Sequence, residues 1–256
     1  MKKNIAYEIQ GDGFPIIFIH GVGSRKHSWN AVINNLKDNY LCVTYDLRGH
    51  GDSILPGDNN FIMDDLVNDV EELRSLLKLQ KTHLIGHSLG GQIGPAYTLK
   101  FPSRVKTLTM LSTAAFRTKE QKQRTLDLIE EMKKKGIDAV ITNLISRWYT
   151  EEFATSNPGI VSERITMLKE MNIETFLRVF WIYATYTMED WVSEINGPTL
   201  LITGENDLAC NPILNKKMSD SIKGSKLEIL KNLKHSITTE APDLLGSKIK
   251  KFLNSY

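Results

Sequence analysis

The chain has 256 residues, and its 32 lysines and arginines against 30 aspartates and glutamates give a formal net charge of only +2. A dedicated nucleic-acid-binding protein needs a basic excess to displace counterions, so this near balance argues against nucleic acid as a partner. Hydrophobic residues make up 41% of the chain without any run long enough to span a bilayer, so we expect neither a transmembrane helix nor a membrane partner.

Two features of the sequence, the residues near the N-terminus and the small number of cysteines, indicate the cellular compartment. Glu8 and Gln10 interrupt the early apolar residues, so we expect no secretory signal there. The two cysteines, Cys42 and Cys210, are too few for a disulfide framework. We therefore predict a reducing, cytoplasmic setting.

Short apolar runs alternate with longer helical patterns along most of the chain. The runs predict strands over 5–9, 15–20, 41–45, 83–86, 105–111, 198–203 and 226–230. Several of them are continuously apolar, which is typical of parallel strands buried on both faces. Between them, apolar residues recur at helical spacing, as at Leu66, Val70 and Leu73. The alternation predicts an α/β fold with a mostly parallel central sheet and helices on both faces.

The alternation breaks between about residue 116 and residue 191, where only helical patterns occur. Because this insertion falls between two strands, at the end of the sheet where sites form, it predicts a helical cap, or lid, over that end. Additional core helices are the alternative. The predicted organisation is a core domain of residues 1–115 and 192–256 with a cap insertion over 116–191.

A glycine-rich turn, Gly86-His87-Ser88-Leu89-Gly90-Gly91, lies between a predicted strand and a predicted helix. Its glycines allow the strand to turn abruptly into the helix, which exposes the hydroxyl of Ser88. The same turn presents the amide N–H of Leu89 at a helix N-terminus, where a developing oxyanion is stabilised. We predict Ser88 as a nucleophile and Leu89 as an oxyanion donor. A capping serine in an ordinary turn is the alternative.

A serine hydroxyl is a poor nucleophile at neutral pH and needs a base. His235 follows the strand 226–230, so it lies at the carboxyl edge of the sheet together with Ser88. His27 and His50 occupy early loops at the same edge, and position alone does not exclude them.

The base in turn needs an orienting acid. The turn after the strand 198–203 carries two carboxylates at the same edge, Glu205 and Asp207. We predict Asp207 as the acid, with Glu205 as the alternative. A second oxyanion donor is expected from the loop after the second strand. There, small residues in His20-Gly21-Val22-Gly23 let the backbone approach the site, and we assign the Val22 N–H.

These motifs resemble the α/β-hydrolase superfamily over nearly all of the chain. The matching pieces are His20-Gly21, Asp46-Leu47-Arg48-Gly49-His50-Gly51-Asp52-Ser53, the turn around Ser88, Gly204–Asp207 and His235. Ser88, Asp207 and His235 stand in the order nucleophile, acid and base that is typical of the fold. The resemblance implies an α/β-hydrolase fold, a Ser88–His235–Asp207 triad, and an oxyanion hole formed by the Val22 and Leu89 amides.

Within the cap, Ser146-Arg147-Trp148-Tyr149-Thr150-Glu151-Glu152-Phe153, followed by Asn157-Pro158-Gly159, is similar to the 3-oxoadipate enol-lactonases. His87 stands where those enzymes commonly have leucine. A general carboxylesterase with a related cap is the alternative. We expect Trp148 to form a wall of the acyl pocket, and Arg147 and Arg178 to bind a substrate carboxylate, as an enol-lactone requires. Cap core for Trp148 and solvated arginines are the alternatives.

The predicted function is a serine hydrolase that cleaves a small-molecule ester or lactone through an acyl-enzyme, as a monomer or homodimer. We expect no cofactor and no metal, since the histidines do not cluster with acids or cysteines at ligand spacing. A C–C bond hydrolase of ring-cleavage dienoates and a non-enzymatic small-ligand receptor on the same fold are the alternatives.

Overall fold

The computed structural model describes residues 5–256, so the first four residues of the predicted core domain lie outside it. The strands along these residues are β1 (Tyr7–Gln10), β2 (Phe14–Ile19), β3 (Tyr40–Tyr45), β4 (Thr82–His87), β5 (Val105–Leu111), β6 (Thr199–Gly204) and β7 (Lys226–Leu230). They form one sheet in the order β1-β3-β2-β4-β5-β6-β7. Only β1 is antiparallel to its neighbour among these described strands, so the predicted mostly parallel sheet is confirmed.

The helices are α1 (Asn30–Ile33), α2 (Met63–Leu76), α3 (Gly90–Lys100), α4 (Lys119–Lys135), α5 (Asp138–Trp148), α6 (Glu151–Ser156), α7 (Pro158–Glu170), α8 (Ile173–Thr185), α9 (Pro212–Ser221), α10 (Ile237–Glu240) and α11 (Pro242–Leu253). None of the helices within residues 5–256 combines the length and the apolar composition that crossing a bilayer requires.

Strand β2 illustrates why the sheet is covered on both faces. Ile16 and Phe18 pack into one cluster with α1 and α11, whereas Ile17 and Ile19 pack into a second cluster with α2 and α3. All four side chains are fully buried. Successive side chains of a strand point to opposite faces, so a continuously apolar strand requires a helical layer on each face.

The helices α4 to α8, here called the helical segment (Lys119–Thr185), lie between β5 and β6 in the chain. The segment begins with a capping box, in which Thr118 Oγ1 accepts the Gln121 N–H and Gln121 Oε1 accepts the Thr118 N–H. Helix α4 ends at Gly136, which has a positive φ of 78°. The helical pattern predicted for this stretch is therefore observed.

Candidate active site

Ser88 occupies a sharp turn between β4 and α3. Its φ of +56° lies in the left-handed region, which costs a non-glycine residue about 1–2 kcal/mol. The flanking residues must be glycines because no Cβ fits at either position. A Cβ at Gly86 would lie 2.0 Å from the Gly90 carbonyl O, and a Cβ at Gly90 would lie 2.0 Å from the Ile19 carbonyl O. The Ser88 N–H donates to the Leu111 carbonyl O at 2.8 Å, which ties the strained turn to β5.

Asp207 follows β6 and is 1% exposed. Its Oδ1 accepts the backbone N–H groups of Ala209 at 3.0 Å and Cys210 at 2.9 Å. These bonds fix the carboxylate so that its Oδ2 lies 2.7 Å from Nδ1 of His235. The predicted acid and the predicted base, 28 residues apart, are thus hydrogen-bonded to each other.

The electrostatics of this pair follow from burial and from the opposite charges. Burial by itself lowers the pKa of His235, but the charge of Asp207 and its hydrogen bond raise that pKa well above its usual value. Burial by itself raises the pKa of Asp207, and the charge and hydrogen bond of His235 bring it below its usual value. With Nδ1–H donated to the carboxylate, Nε2 is the nitrogen that can accept a proton.

Ser88 and His235 line the same cavity, which has a volume of about 410 Å³. Their exposed fractions are 7% and 9%. Among residues 5–256, no hydrogen bond joins Ser88 Oγ to His235, so the predicted nucleophile and base are not bonded to each other in this conformation. Such bonds are often long in free enzymes and shorten when substrate binds.

The two amides predicted as oxyanion donors flank Ser88, with Val22 in the cavity lining and Leu89 next to the serine in the chain. The N–H groups of Val22 and Leu89 have no hydrogen-bond acceptor in the described part of the chain. A Cβ at Gly21 would lie 2.9 Å from Ser88 Cβ, so only glycine allows this loop to come so close to the serine. The loop is the one in which the sequence places the second oxyanion donor.

Two buried histidines hold the early loops in place. Nε2 of His50 accepts the Gly23 N–H at 3.3 Å, and Nε2 of His20 accepts the Leu47 N–H at 2.9 Å. Burial lowers the pKa of each to about 3, so both are neutral acceptors at physiological pH. Since its Nε2 is occupied by the Gly23 N–H, His50 holds the loop that contains Val22 and is not available as a base.

The remaining alternatives for base and acid have other partners. His27, an exposed residue at the edge of the cavity lining, pairs with Glu8 at 2.7 Å. Glu205 accepts the Asn232 N–H at 3.0 Å, which ties its own turn to the loop before His235. Neither is joined to the cavity pair, and the structure therefore favours Asp207 over Glu205.

The expectation that the histidines do not cluster with acids or cysteines at metal-ligand spacing is wrong for His235. One ligand atom from each of Asp207, Cys210 and His235 lies within 4.8 Å of the other two. The Sγ of Cys210 lies 3.4 Å from the Tyr183 hydroxyl, and Oδ2 of Asp207 and Nδ1 of His235 already form a hydrogen bond of 2.7 Å. The three side chains therefore fit a hydrogen-bonded network better than a metal site.

Comparison with known proteins places this arrangement in a family. A family model described as the alpha/beta hydrolase fold matches residues 15–242. The chain belongs to the α/β-hydrolase family.

Individual relatives of this α/β hydrolase are distant. It is 26% identical to the (E)-2-((N-methylformamido)methylene)succinate hydrolase of Acinetobacter baylyi, over 99% of this chain and 95% of that protein. It is 25% identical to 3-oxoadipate enol-lactonase 2 of the same organism, over 96% and 91% of the two chains. The crystal structure of the enol-lactonase from Burkholderia xenovorans LB400 superposes with a TM-score of 0.90 at 22% identity, covering 98% of this chain and 96% of that one.

Two of the three side chains predicted to contact substrate lie in the cavity wall, and the third does not. Arg147 and Trp148 of this α/β hydrolase line the cavity, whereas Arg178 is not part of its lining. The Arg178 guanidinium donates to the Phe61 carbonyl O at 2.6 Å and the Asn60 carbonyl O at 3.2 Å. The substrate-binding role predicted for Arg178 is therefore corrected, because α8 directs this side chain to backbone acceptors outside the cavity.

Sequence reasoning missed two cavity residues. Arg164, on α7, lines the cavity and lies over the Trp148 ring at 4.9 Å. His87 also lines the cavity, and its Nε2 lies 3.0 Å from the His235 carbonyl O. The sequence offers one local sign of a cavity role for Arg164, namely that this basic residue stands beside the apolar Ile165, Met167 and Leu168.

Proposed function

We propose that this α/β hydrolase cleaves a small carboxylic ester or lactone, with Ser88 as nucleophile, His235 as general base and Asp207 as the orienting acid. The observation that carries the proposal is the buried 2.7 Å pair of Asp207 and His235 in the same cavity as Ser88, a serine on a strained strand-to-helix turn. A structural serine or a surface histidine has no need of this combination.

The reaction proceeds by two acyl transfers. Ser88 Oγ forms a bond to the carbonyl carbon while His235 Nε2 takes the hydroxyl proton. The carbon–oxygen bond to the alcohol breaks, and His235 returns the proton to the leaving alkoxide. Water then attacks the acyl-serine, again losing its proton to His235, and that proton returns to Ser88 as the acid is released. Asp207 stabilises the imidazolium throughout but keeps its own charge.

The Val22 and Leu89 amides form the proposed oxyanion hole. Both N–H groups lack an acceptor in the described residues, and Leu89 directly precedes α3, whose N-terminus favours negative charge. The loop of Val22 lies against Ser88 through Gly21. Such donors stabilise the tetrahedral intermediate because charge develops where they already point.

Residues 116–191 form the proposed cap over this site. Arg147 and Trp148 contribute from this stretch to the cavity lining, and Trp148 is the proposed wall of the acyl pocket. The cap is also hydrogen-bonded to the loop of the base. The Ser236 N–H donates to the Trp148 carbonyl O at 2.9 Å, and Lys234 Nζ donates to the Ser146 carbonyl O at 2.7 Å.

Labelling with a fluorophosphonate, followed by mass mapping of the modified peptide, tests the nucleophile without a guess about the substrate. We expect modification at Ser88 alone and none in Ser88→Ala. The matched control is Ser112→Ala, because Ser112 is another buried serine with positive φ, at the end of the neighbouring β5, and lies outside the cavity lining. Labelling of Ser88→Ala at another residue would refute the assignment.

A substrate panel then tests the bond that is cleaved. We expect steady turnover of 4-nitrophenyl acetate and of an enol-lactone, and none of a ring-cleavage dienoate. Turnover of the dienoate alone would favour a C–C hydrolase that uses the same triad. A single slow turnover with retained covalent ligand would favour a small-ligand receptor over an enzyme.

A further inference from the structure

Most charged side chains around the cavity are paired, and two arginines are not. The proposed base and acid bind each other, and at the rim Arg25 forms an ion pair with Glu163 at 2.6 Å. Arg147 and Arg164 also line the cavity, but neither has a carboxylate at ion-pair distance within residues 5–256. The cavity therefore carries two positive charges that the described chain leaves uncompensated.

Arg164 is held in a defined position by the loop of the proposed oxyanion hole. Its guanidinium donates to the Gly23 carbonyl O and, at 3.2 Å, to the Val22 carbonyl O. Its flat face lies over the Trp148 ring at 4.9 Å. These contacts fix the side chain next to the residue whose amide is proposed to bind the oxyanion.

The arginine keeps both charge and free donors. Burial lowers the pKa of Arg164 to about 10, so the group remains protonated at neutral pH. A guanidinium has five N–H donors, and the two carbonyl contacts leave others without an acceptor among the described residues. Arg147 makes no hydrogen bond at all within the same part of the chain.

Both arginines are half-buried, and a charge that is partly removed from water without a counter-ion is unfavourable, so a bound anion offsets part of this cost. The planar fork of a guanidinium matches the two coplanar oxygens of a carboxylate. Because Arg164 is anchored to the loop of Val22 and lines the same cavity as Ser88, one substrate molecule can present its carboxylate to Arg164 and its carbonyl to Ser88.

We propose that the substrate is a carboxylate-bearing ester or lactone, and that its carboxylate binds to Arg164, with Arg147 as a second cation of the same subsite. This inference rests on the proposed hydrolase function of the cavity. It adds the substrate's charge and the residue that selects it.

Matched esters test the selection. 4-Nitrophenyl hydrogen adipate carries a terminal carboxylate, and 4-nitrophenyl hexanoate has an acyl chain of the same length without it. We expect Arg164→Gln to lower kcat/KM for the adipate ester at least about tenfold more than kcat/KM for the hexanoate ester. Arg164→Lys keeps the charge without the fork and is expected to fall between Arg164→Gln and the wild type.

Two further variants separate binding from structure. Arg147 makes no hydrogen bond to the loop of Val22. Arg147→Gln is also expected to lower the preference for the adipate ester over the hexanoate ester. Arg124→Gln, on the exposed face of α4 outside the cavity lining, is the control and is expected to leave both rates unchanged. An equal loss for both esters in Arg164→Gln would mean that the arginine only holds the loop, and would overturn the inference.

Binding without turnover keeps the inference separate from the proposed function. Calorimetry on Ser88→Ala with adipate, adipamide and inorganic phosphate measures recognition of the carboxylate even if neither ester is hydrolysed. We expect adipate to bind at least about tenfold more tightly than adipamide, and Arg164→Gln in this background to remove the difference. Equal binding of adipamide, or tighter binding of phosphate, would overturn the carboxylate assignment.

Discussion

Nε2 of His87 donates to the carbonyl O of His235 at 3.0 Å, and the centroids of the two rings lie 5.1 Å apart. Burial lowers the pKa of His87 to about 3, so its ring is neutral at physiological pH. The residue before the proposed nucleophile thus holds the backbone of the proposed base.

Replacement of His87 by leucine removes this donor. We expect His87→Leu to lower the free energy of unfolding by about 1 kcal/mol, because a carbonyl beside the cavity loses its partner. We expect kcat to fall more than KM rises, since the loop that carries the base is less well fixed. His87→Gln keeps an N–H donor and is the control. Unchanged kcat and stability in His87→Leu, measured by ester turnover and urea unfolding, would contradict the positioning role.

The strained turn at Ser88 predicts a difference between two inactive variants. Both Ser88→Ala and Ser88→Gly are expected to lose about 10⁶-fold in kcat, because the nucleophile is gone. At φ +56° a Cβ is unfavourable, so Ser88→Gly is expected to be more stable than Ser88→Ala by about 1 kcal/mol. Urea unfolding of the two variants measures the difference. An alanine variant as stable as the glycine variant would show that the turn is relaxed.

The pair of Asp207 and His235 predicts the pH profile. The base must be unprotonated, so activity rises with pH through the pKa of His235, which the charge of Asp207 raises. The acidic limb of kcat/KM is therefore expected above about pH 6.5, the ordinary value for histidine. Asp207→Asn removes that charge and is expected to move the limb to lower pH while kcat falls about 10⁴-fold.

Glu205→Gln is the matched control for that experiment. Glu205 is the other acid of the same turn, and its carboxylate binds the Asn232 N–H instead of the imidazole. We expect the position of the acidic limb to stay as in the wild type. A shift in Glu205→Gln without one in Asp207→Asn would reassign the acid.

Four histidines whose pKa is lowered by burial predict the loss of stability in acid. Burial lowers the pKa of His20, His50 and His87 to about 3 and that of His83 to about 4, whereas the unfolded chain titrates near the ordinary value. Below about pH 6.5 the unfolded state binds more protons, so stability is complete above that pH and is lost as the pH falls towards 4. Each histidine contributes a slope of about 1.4 kcal/mol per pH unit in this window.

Urea unfolding at pH 7 and pH 5 measures this slope. His83 lies away from the cavity, with Nδ1 at 2.8 Å from Thr107 Oγ1, so His83→Gln isolates one histidine's share without touching the site. Between pH 7 and pH 5, His83→Gln is expected to lose less free energy of unfolding than the wild type. The difference is the contribution of His83. Equal stability of the wild type at the two pH values would contradict the prediction.

Local patterns in the sequence determined the fold and the candidate nucleophile, and the resemblance to the α/β hydrolases completed the candidate triad. Continuously apolar runs are the mark of strands buried on both faces, and the glycines around Ser88 are required because no Cβ fits at those positions. Ser88, Asp207 and His235 each follow a parallel strand, which placed all three at one sheet edge because the carboxyl ends of parallel strands gather there.

Tertiary packing alone decided which arginines and histidines reach the cavity. Arg178 and Arg164 both lie on helices of the helical segment, yet only Arg164 lines the cavity, because its acceptors are the carbonyls of Val22 and Gly23, more than 140 positions earlier in the chain. The partner of His87 is likewise a backbone carbonyl 148 positions away. A backbone carbonyl is present at every residue and leaves no mark in the sequence, so contacts of this kind exist only once the chain has packed.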